Sequence, residues 1–178
     1  MRVISGKYKG KKLEGFDIDG TRPTMDRVKE SLFGMIQKYV VDSIVLDLFA
    51  GSGSLGIEAL SMGASKSYFV DYNSKIYNIL KKNTSNMDNC ILMNIDYLNA
   101  LNTFKDNNIK FDLIILDPPY KMNLINNCLD KIYEYDLLNS NGIIICEFET
   151  ENVTTDYFEL LKEKKYGSKM IRIYKRVR

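Results

Sequence analysis

The largely apolar run Phe111-Asp112-Leu113-Ile114-Ile115-Leu116 reads as a buried strand, and the four residues after it, Asp117-Pro118-Pro119-Tyr120, forbid it to continue. Neither proline has an N–H to give to a sheet ladder, so the chain must leave the sheet at a fixed point. Proline also restricts its predecessor, which holds Asp117 and Pro118 in extended or polyproline conformations. A carboxylate, a rigid carbonyl and an aromatic ring are thereby presented together at a strand end. The set suits a flat amino group: the Asp117 carboxylate and the Pro118 carbonyl each accept one N–H, and Tyr120 stacks on the attached ring. Asp117, Pro118, Pro119 and Tyr120 are the candidate catalytic residues. The bland alternative is a Pro-Pro strand terminator with nothing bound.

The 178 residues fit one domain with a substantial core. Within it a basic arm, residues 1–24, precedes a core over 25–178. No apolar run approaches the roughly 20 residues of a membrane span. The start, Met1-Arg2-Val3-Ile4-Ser5-Gly6-Lys7, turns basic without a long apolar stretch, so no signal peptide is expected. Cys90, Cys128 and Cys146 are odd in number and far apart, which fits reduced core cysteines of a cytoplasmic protein. There is no histidine. The commonest general base and the commonest metal ligand are thus both missing, and no metal is expected.

The net charge of +2 hides an asymmetry. Residues 1–12 carry Arg2, Lys7, Lys9, Lys11 and Lys12 and no acid, while Lys162–Arg178 holds eight basic residues against Glu163 alone. Basic ends around an acidic centre suggest a polyanion gripped by the periphery, with nucleic acid the leading candidate. Charge alone fits an ordinary solvated surface equally well.

Residues 2–18 read as a hairpin arm, with Arg2-Val3-Ile4 and Lys11-Lys12-Leu13 flanking Gly6 and Gly10. Thr21-Arg22-Pro23-Thr24 is a connector whose Thr24 is placed to cap a helix. That helix puts Val28, Leu32, Met35, Ile36 and Tyr39 on one face. Strands are expected at Ile44–Phe49, Ser67–Val70, Cys90–Met93, Phe111–Leu116 and Gly142–Glu147, with helices near Ser54–Met62, Ser74–Asn86, Tyr97–Phe104 and Leu124–Tyr135. Gly63 stands where a helix C-cap glycine belongs. Alternation of this kind predicts an α/β fold, a parallel sheet covered by helices on both faces. The end of the chain, Lys164–Tyr166, Gly167-Ser168 and Lys169–Arg176, reads as an antiparallel edge hairpin.

The first strand runs into Asp47-Leu48-Phe49-Ala50-Gly51-Ser52-Gly53-Ser54-Leu55-Gly56. Gly51-x-Gly53-x-x-Gly56 between a strand and a helix is the literal fingerprint of a dinucleotide site, and Asp71 stands where an acid holds a ribose. Electrostatics argue for a different ligand. Asp47, Asp71, Asp96 and Asp117 end or follow successive strands and should ring one edge of the sheet, where a pyrophosphate would be repelled. A ligand with an ammonium and a sulfonium, S-adenosylmethionine, would be drawn in. Asp47 then faces its amino-acid end, Asp71 its ribose, and Asp96 with Tyr97 its adenine. Each aspartate taken singly could instead be a helix N-cap.

These segments resemble the bacterial 16S ribosomal RNA guanine-N2 methyltransferases of the RsmD type, which act on guanine 966. The matching residues are Met1–Gly6 with Gly10–Leu13, Thr21–Thr24 with Asp26–Glu30 and Phe33, Leu46–Gly53, Gly56–Ala64, and Phe111–Ile114 through Asp117–Tyr120. The glycine loop and the Asp-Pro-Pro-Tyr string occur in many amino-methyltransferases; Arg22-Pro23-Thr24 with the basic arm narrows the match. Asp71 stands where the family commonly has Glu, and Met62 where it has Arg. The resemblance implies a Rossmann-like class I S-adenosylmethionine-dependent methyltransferase fold. It implies cofactor binding by Asp47, Phe49, Ala50, Gly51, Gly53, Asp71, Tyr72, Asp96, Tyr97 and Asp117. The implied substrate is 16S ribosomal RNA, in the 30S subunit or an assembly intermediate, held by Lys7, Lys9, Lys11, Lys12, Arg22, Pro23, Thr24 and Tyr120. A cytoplasmic monomer is expected.

The nearest rival is an adenine-N6 methyltransferase acting on DNA or RNA, which shares this chemistry but on DNA usually carries an added recognition region. A protein-glutamine methyltransferase leaves the basic ends without a purpose. A nicotinamide-dependent oxidoreductase has the glycine fingerprint here but no evident proton relay. A non-catalytic RNA-binding protein would have no need of an intact pocket.

Overall fold

The computed structural model describes residues 1–15, 23–119 and 122–177 and, of Pro23 and Thr24, the backbone alone. After the arm, the described chain runs α1 (Pro23–Ile36), a short 3-10 turn, β1 (Ile44–Asp47), α2 (Ser54–Ser61), β2 (Lys66–Val70), α3 (Ser74–Thr84), β3 (Cys90–Met93), α4 (Tyr97–Asp106), β4 (Phe111–Leu116), α5 (Ile125–Glu134), β5 (Leu138–Phe148), β6 (Phe158–Tyr166) and β7 (Lys169–Arg176). The sheet order is β3-β2-β1-β4-β5-β7-β6. The first five strands pair in parallel; β7 pairs antiparallel with β5 and with β6.

Strand order reverses between β1 and β4, and in such sheets the crevice for a ligand opens outside the carboxyl ends of the strands at that point. Register brings those ends level: Asp47 lies beside Phe69 and Ile115, Val70 beside Met93, and Leu116 beside Cys146.

Alternate residues of each strand face opposite layers. Val45, Leu113, Ile115, Ile143 and Ile145 are buried against Leu32, Phe33 and Ile36 of α1 and Ile57 and Leu60 of α2. Leu46, Ile114, Leu116, Ile144 and Cys146 are buried against Leu101 and Phe104 of α4 and Cys128, Leu129 and Ile132 of α5. Helices on both faces explain why the strands read as continuous apolar runs. Cys128 and Cys146 are free and buried as expected, whereas Cys90 is only half-buried.

Several boundaries differ from the sequence reading. α1 begins at Pro23, so Thr24 lies inside its first turn and not at its cap; proline at a first helical position gives up an N–H that has no intrahelical partner. β5 begins at Leu138, where it pairs with Phe111 across a register shift, because polar Asn139 and Asn141 disguise its start. β6 begins at Phe158, well before Lys164. It is one edge of the sheet, and apart from Leu160 its exposed residues are charged, which hides the strand pattern and disfavours pairing with other chains. The arm is a narrow hairpin with one bridge, Arg2 to Lys12, closed by Val3 N–H to the Lys11 carbonyl at 2.9 Å and Gly10 N–H to the Val3 carbonyl at 2.9 Å.

Candidate active site at the carboxyl edge of the sheet

The glycine loop between β1 and α2 is built around buried hydrogen bonds. Asp47, 2% exposed, accepts the Gly56 N–H on Oδ2 at 3.0 Å. Gly53 N–H donates to the Ala50 carbonyl at 2.8 Å, closing the turn. Gly53 adopts φ +88°, which side chains resist, and an added Cβ would sit 2.6 Å from Leu80. At Gly56 a Cβ would lie 2.4 Å from the Phe69 ring, so the helix can approach the sheet only without one. Two of the glycines thus set the loop's shape by packing on α3 and β2.

Burial pushes the Asp47 carboxyl up to about 7; the Gly56 N–H opposes the rise and the Asp71 carboxylate adds to it. Asp71 holds Gly51 N–H on Oδ2 and Asn73 N–H on Oδ1, each at 3.0 Å, and burial raises it also. Asp96 is exposed and caps α4: Oδ1 accepts from Leu98 N–H at 2.8 Å and Asn99 N–H at 3.0 Å. The cap reading of Asp96 is therefore realised. Beside it the rings of Tyr97 and Phe49 lie 5.4 Å apart at 40°. Tyr72 is exposed.

Asp117 leaves β4 at the switch point, half-buried, followed by buried Pro118 and exposed Pro119. Its carboxyl is raised well above the ordinary range, by burial first and then by Glu147 and Asp47, with Lys169 opposing. Glu147, 7% exposed, is a fifth carboxylate at this edge, and its Oε1 receives Lys169 Nζ at 2.8 Å. Sequence alone places Glu147 at the end of its strand and points to no role for it. Tyr120 and Arg22 lie outside the described residues, as do the side chains of Pro23 and Thr24.

The arm is fixed to the same loop. Glu58, 1% exposed on α2, receives the Ile4 N–H at 3.0 and 3.1 Å on its two oxygens. Ser61 Oγ donates to the Ser5 carbonyl at 2.6 Å and accepts Tyr8 N–H at 2.9 Å. Lys29, 5% exposed on α1, donates from Nζ to the Arg2 carbonyl at 2.6 Å and to Ser54 Oγ at 3.0 Å. Asn83 of α3 binds both the N–H and the carbonyl of Glu14 and also the Ser52 carbonyl, each at 2.9 Å. Sequence reasoning missed Lys29, Glu58 and Asn83. The signal was there for Lys29, which shares the buried stripe of α1 with Leu32, Phe33 and Ile36. Lys7, Lys9 and Lys12 are exposed on the arm and Lys11 is half-buried.

The basic tail has a different fate. Arg172 pairs with Glu163 and donates to the Val153 carbonyl, Arg176 pairs with Asp136, Lys175 with Glu159, and Lys164 donates to Ser31. Much of that charge is absorbed by the protein's own acids and carbonyls.

The residues present fit the expected cofactor. Carboxylates that resist ionisation because they are buried together are stabilised by a cation placed among them, and a phosphate would raise their cost further. Phe49, Tyr97 and the half-buried Asp71 stand at the same edge of the sheet, while Gly53 packs against Leu80 of α3.

A family model described as conserved hypothetical protein 95 matches residues 1–175. A Haemophilus influenzae protein named ribosomal RNA small subunit methyltransferase D is 38% identical over 180 residues, covering 98% of this chain and 93% of its own length. The Escherichia coli K12 protein of the same name is 32% identical over 181 residues, covering 99% and 90%. A solved structure of the Escherichia coli protein yhhF superposes with a TM-score of 0.87 at 30% identity, over 99% of this chain and 97% of that one. The chain belongs to the conserved hypothetical protein 95 family, the RsmD-type methyltransferases that its sequence resembles.

Proposed function

We propose that the protein methylates the exocyclic N2 amino group of a guanine in 16S ribosomal RNA, with S-adenosylmethionine as donor. The observation that carries this reading is Asp117-Pro118 standing at the topological switch point, beside a glycine loop ringed by carboxylates. The names of the Haemophilus and Escherichia relatives support ribosomal RNA of the small subunit as the substrate class.

S-adenosylmethionine, when bound, supplies an electrophilic methyl group. Asp47, Asp71, Asp96 and the loop from Phe49 through Gly53 would hold it, with Tyr72 and Tyr97 near the adenosine. Asp117 would border the cofactor while acting chiefly on the amino group of the substrate, so its loss would cost the cofactor little. The amino nitrogen of guanine is a poor nucleophile because its lone pair is delocalised into the ring. Hydrogen bonds from its two N–H groups to the Asp117 carboxylate and the Pro118 carbonyl favour a pyramidal nitrogen and stabilise charge developing on it. Pro119 fixes the direction in which those acceptors point. Tyr120 stacks on the extruded base, worth about 1–3 kcal/mol. Proton loss follows transfer, so a chain without histidine can complete the reaction.

Lys7, Lys9, Lys11 and Lys12, with Arg22, Pro23 and Thr24 of the connector, would hold phosphates of the RNA. The arm's attachment to α2 and α3 supports this, because it gives those lysines a fixed position relative to the loop. The natural substrate would be a 30S subunit or assembly intermediate, where the particle itself presents the base.

The test is incubation with radiolabelled S-adenosylmethionine and 30S subunits from a strain lacking its own enzyme, followed by nuclease digestion. Label recovered as N2-methylguanosine in 16S RNA is expected. Label recovered as N6-methyladenosine would favour the adenine enzyme instead, and no label on RNA would overturn the reading.

A further inference from the structure

At the carboxyl edge of the sheet, two neighbouring parallel strands carry a carboxylate at matching positions, Asp117 just after β4 and Glu147 one residue before the end of β5. Leu116 pairs with Cys146, so the next residues, Asp117 and Glu147, come side by side at the carboxyl edge. A buried carboxylate beside a second one is costly unless a cation is supplied. Lys169, the first residue of β7, supplies it, with Nζ 2.8 Å from Glu147 Oε1. The antiparallel turn back from β6 into β7 is what delivers this lysine to an edge otherwise formed by parallel strands.

We propose that the Glu147–Lys169 ion pair is a positioning pair for Asp117: Glu147 opposes ionisation of the neighbouring carboxyl, Lys169 restrains that opposition, and their balance sets the pH at which the site switches on. The proposal rests on the role given to Asp117 above. Among the described residues, the charged groups acting on Asp117 from the packed elements are Asp47 from β1, Glu147 from β5 and Lys169 from β7. Glu147 and Asp47 raise its carboxyl and Lys169 lowers it, over a larger rise due to burial. Only the ionised form accepts both an amino hydrogen and the developing positive charge. Activity should therefore fall on the acid side as Asp117 takes up a proton. A lysine that merely held a phosphate would change KM and leave that limb in place.

The experiment measures kcat at saturating 30S subunits across the acid limb for wild type, Glu147→Gln, Lys169→Gln and the double variant. Calorimetric binding of S-adenosylmethionine checks that each is folded. Glu147→Gln should keep severalfold more of its own plateau rate on the acid limb than wild type, Lys169→Gln severalfold less, and the double variant should lie between the two. A carbon-13 titration of Asp117 in labelled protein should move in the same order without any need for turnover. Limbs that coincide, or that shift the same way in both single variants, would overturn the proposal while leaving Asp117's role intact. Normal turnover by Asp117→Ala would instead remove the reading beneath it.

Discussion

Glu58 takes the backbone N–H of Ile4 between its two carboxylate oxygens, at 3.0 and 3.1 Å, and so joins the basic arm to the helix that begins at the glycine loop. The carboxylate is 1% exposed, and burial raises its pKa against the opposing effects of Lys29 and the Ile4 and Ser5 N–H groups. Hydrogen bonds to a charged group contribute about 1.5–3 kcal/mol each. Glu58→Ala should destabilise the fold by about 2 kcal/mol or more in urea unfolding and raise KM for 30S subunits more than it weakens cofactor binding. Cofactor affinity lost in step with subunit affinity would show that Glu58 serves the loop and not the arm.

The close approach of Gly56 to Phe69 makes a coupled prediction. Gly56→Ala sets a methyl 2.4 Å from the ring and should weaken cofactor binding by displacing the start of α2. Shrinking the ring relieves the clash, so Gly56→Ala with Phe69→Leu should bind better than the sum of the single effects allows. Contacting residues couple by about 0.5–3 kcal/mol, which a double-mutant cycle by calorimetry resolves.

Asp47 gives a pH dependence of definite sign. Its carboxyl is raised to about 7 in the folded protein, so the folded state binds more protons than the unfolded state between the ordinary carboxylate range and about 7. Stability therefore declines as pH rises through that window. A cationic ligand favours the ionised form, so S-adenosylmethionine should bind more tightly as pH rises through about 7. Thermal melts with and without cofactor should show stabilisation by cofactor growing with pH, and Asp47→Asn should flatten that trend.

Salt dependence separates the arm from the tail. Each lysine that neutralises a phosphate contributes about 0.7–0.9 to the slope of log K against log salt. Lys7→Gln, Lys9→Gln and Lys12→Gln together should flatten the slope for 30S binding. Arg176→Gln, which loses an ion pair with Asp136, should lower the melting temperature and leave the slope nearly unchanged.

The parallel core was legible because buried strands and amphipathic helices alternate with little ambiguity; Cys90–Met93 and Phe111–Leu116 have the bounds read from sequence. β6 was hidden because an edge strand has charged residues where a buried one has apolar residues. The four aspartates at the strand ends were legible as positions. Their partners were not: that Asp47 turns into the loop toward Gly56, and Asp96 caps its helix, depends on side-chain directions that spacing does not encode. The roles of Glu58 and Asn83 were hidden for the same reason, since a polar residue on a buried face has meaning only once its partner is known; Lys29 alone was marked, by its place in the buried stripe of α1. The internal pairing of the tail's charge was not legible because its acids, Asp136 and Glu159, lie far away in sequence or on an edge strand whose charged pattern hides it.

The most direct measurement compares wild type with Asp117→Ala in methyl transfer to 30S subunits and in calorimetric binding of S-adenosylmethionine. Loss of transfer with cofactor binding nearly intact is the result expected if Asp117 holds the amino group. Near-normal transfer by the variant would contradict the placement of the chemistry at this carboxylate.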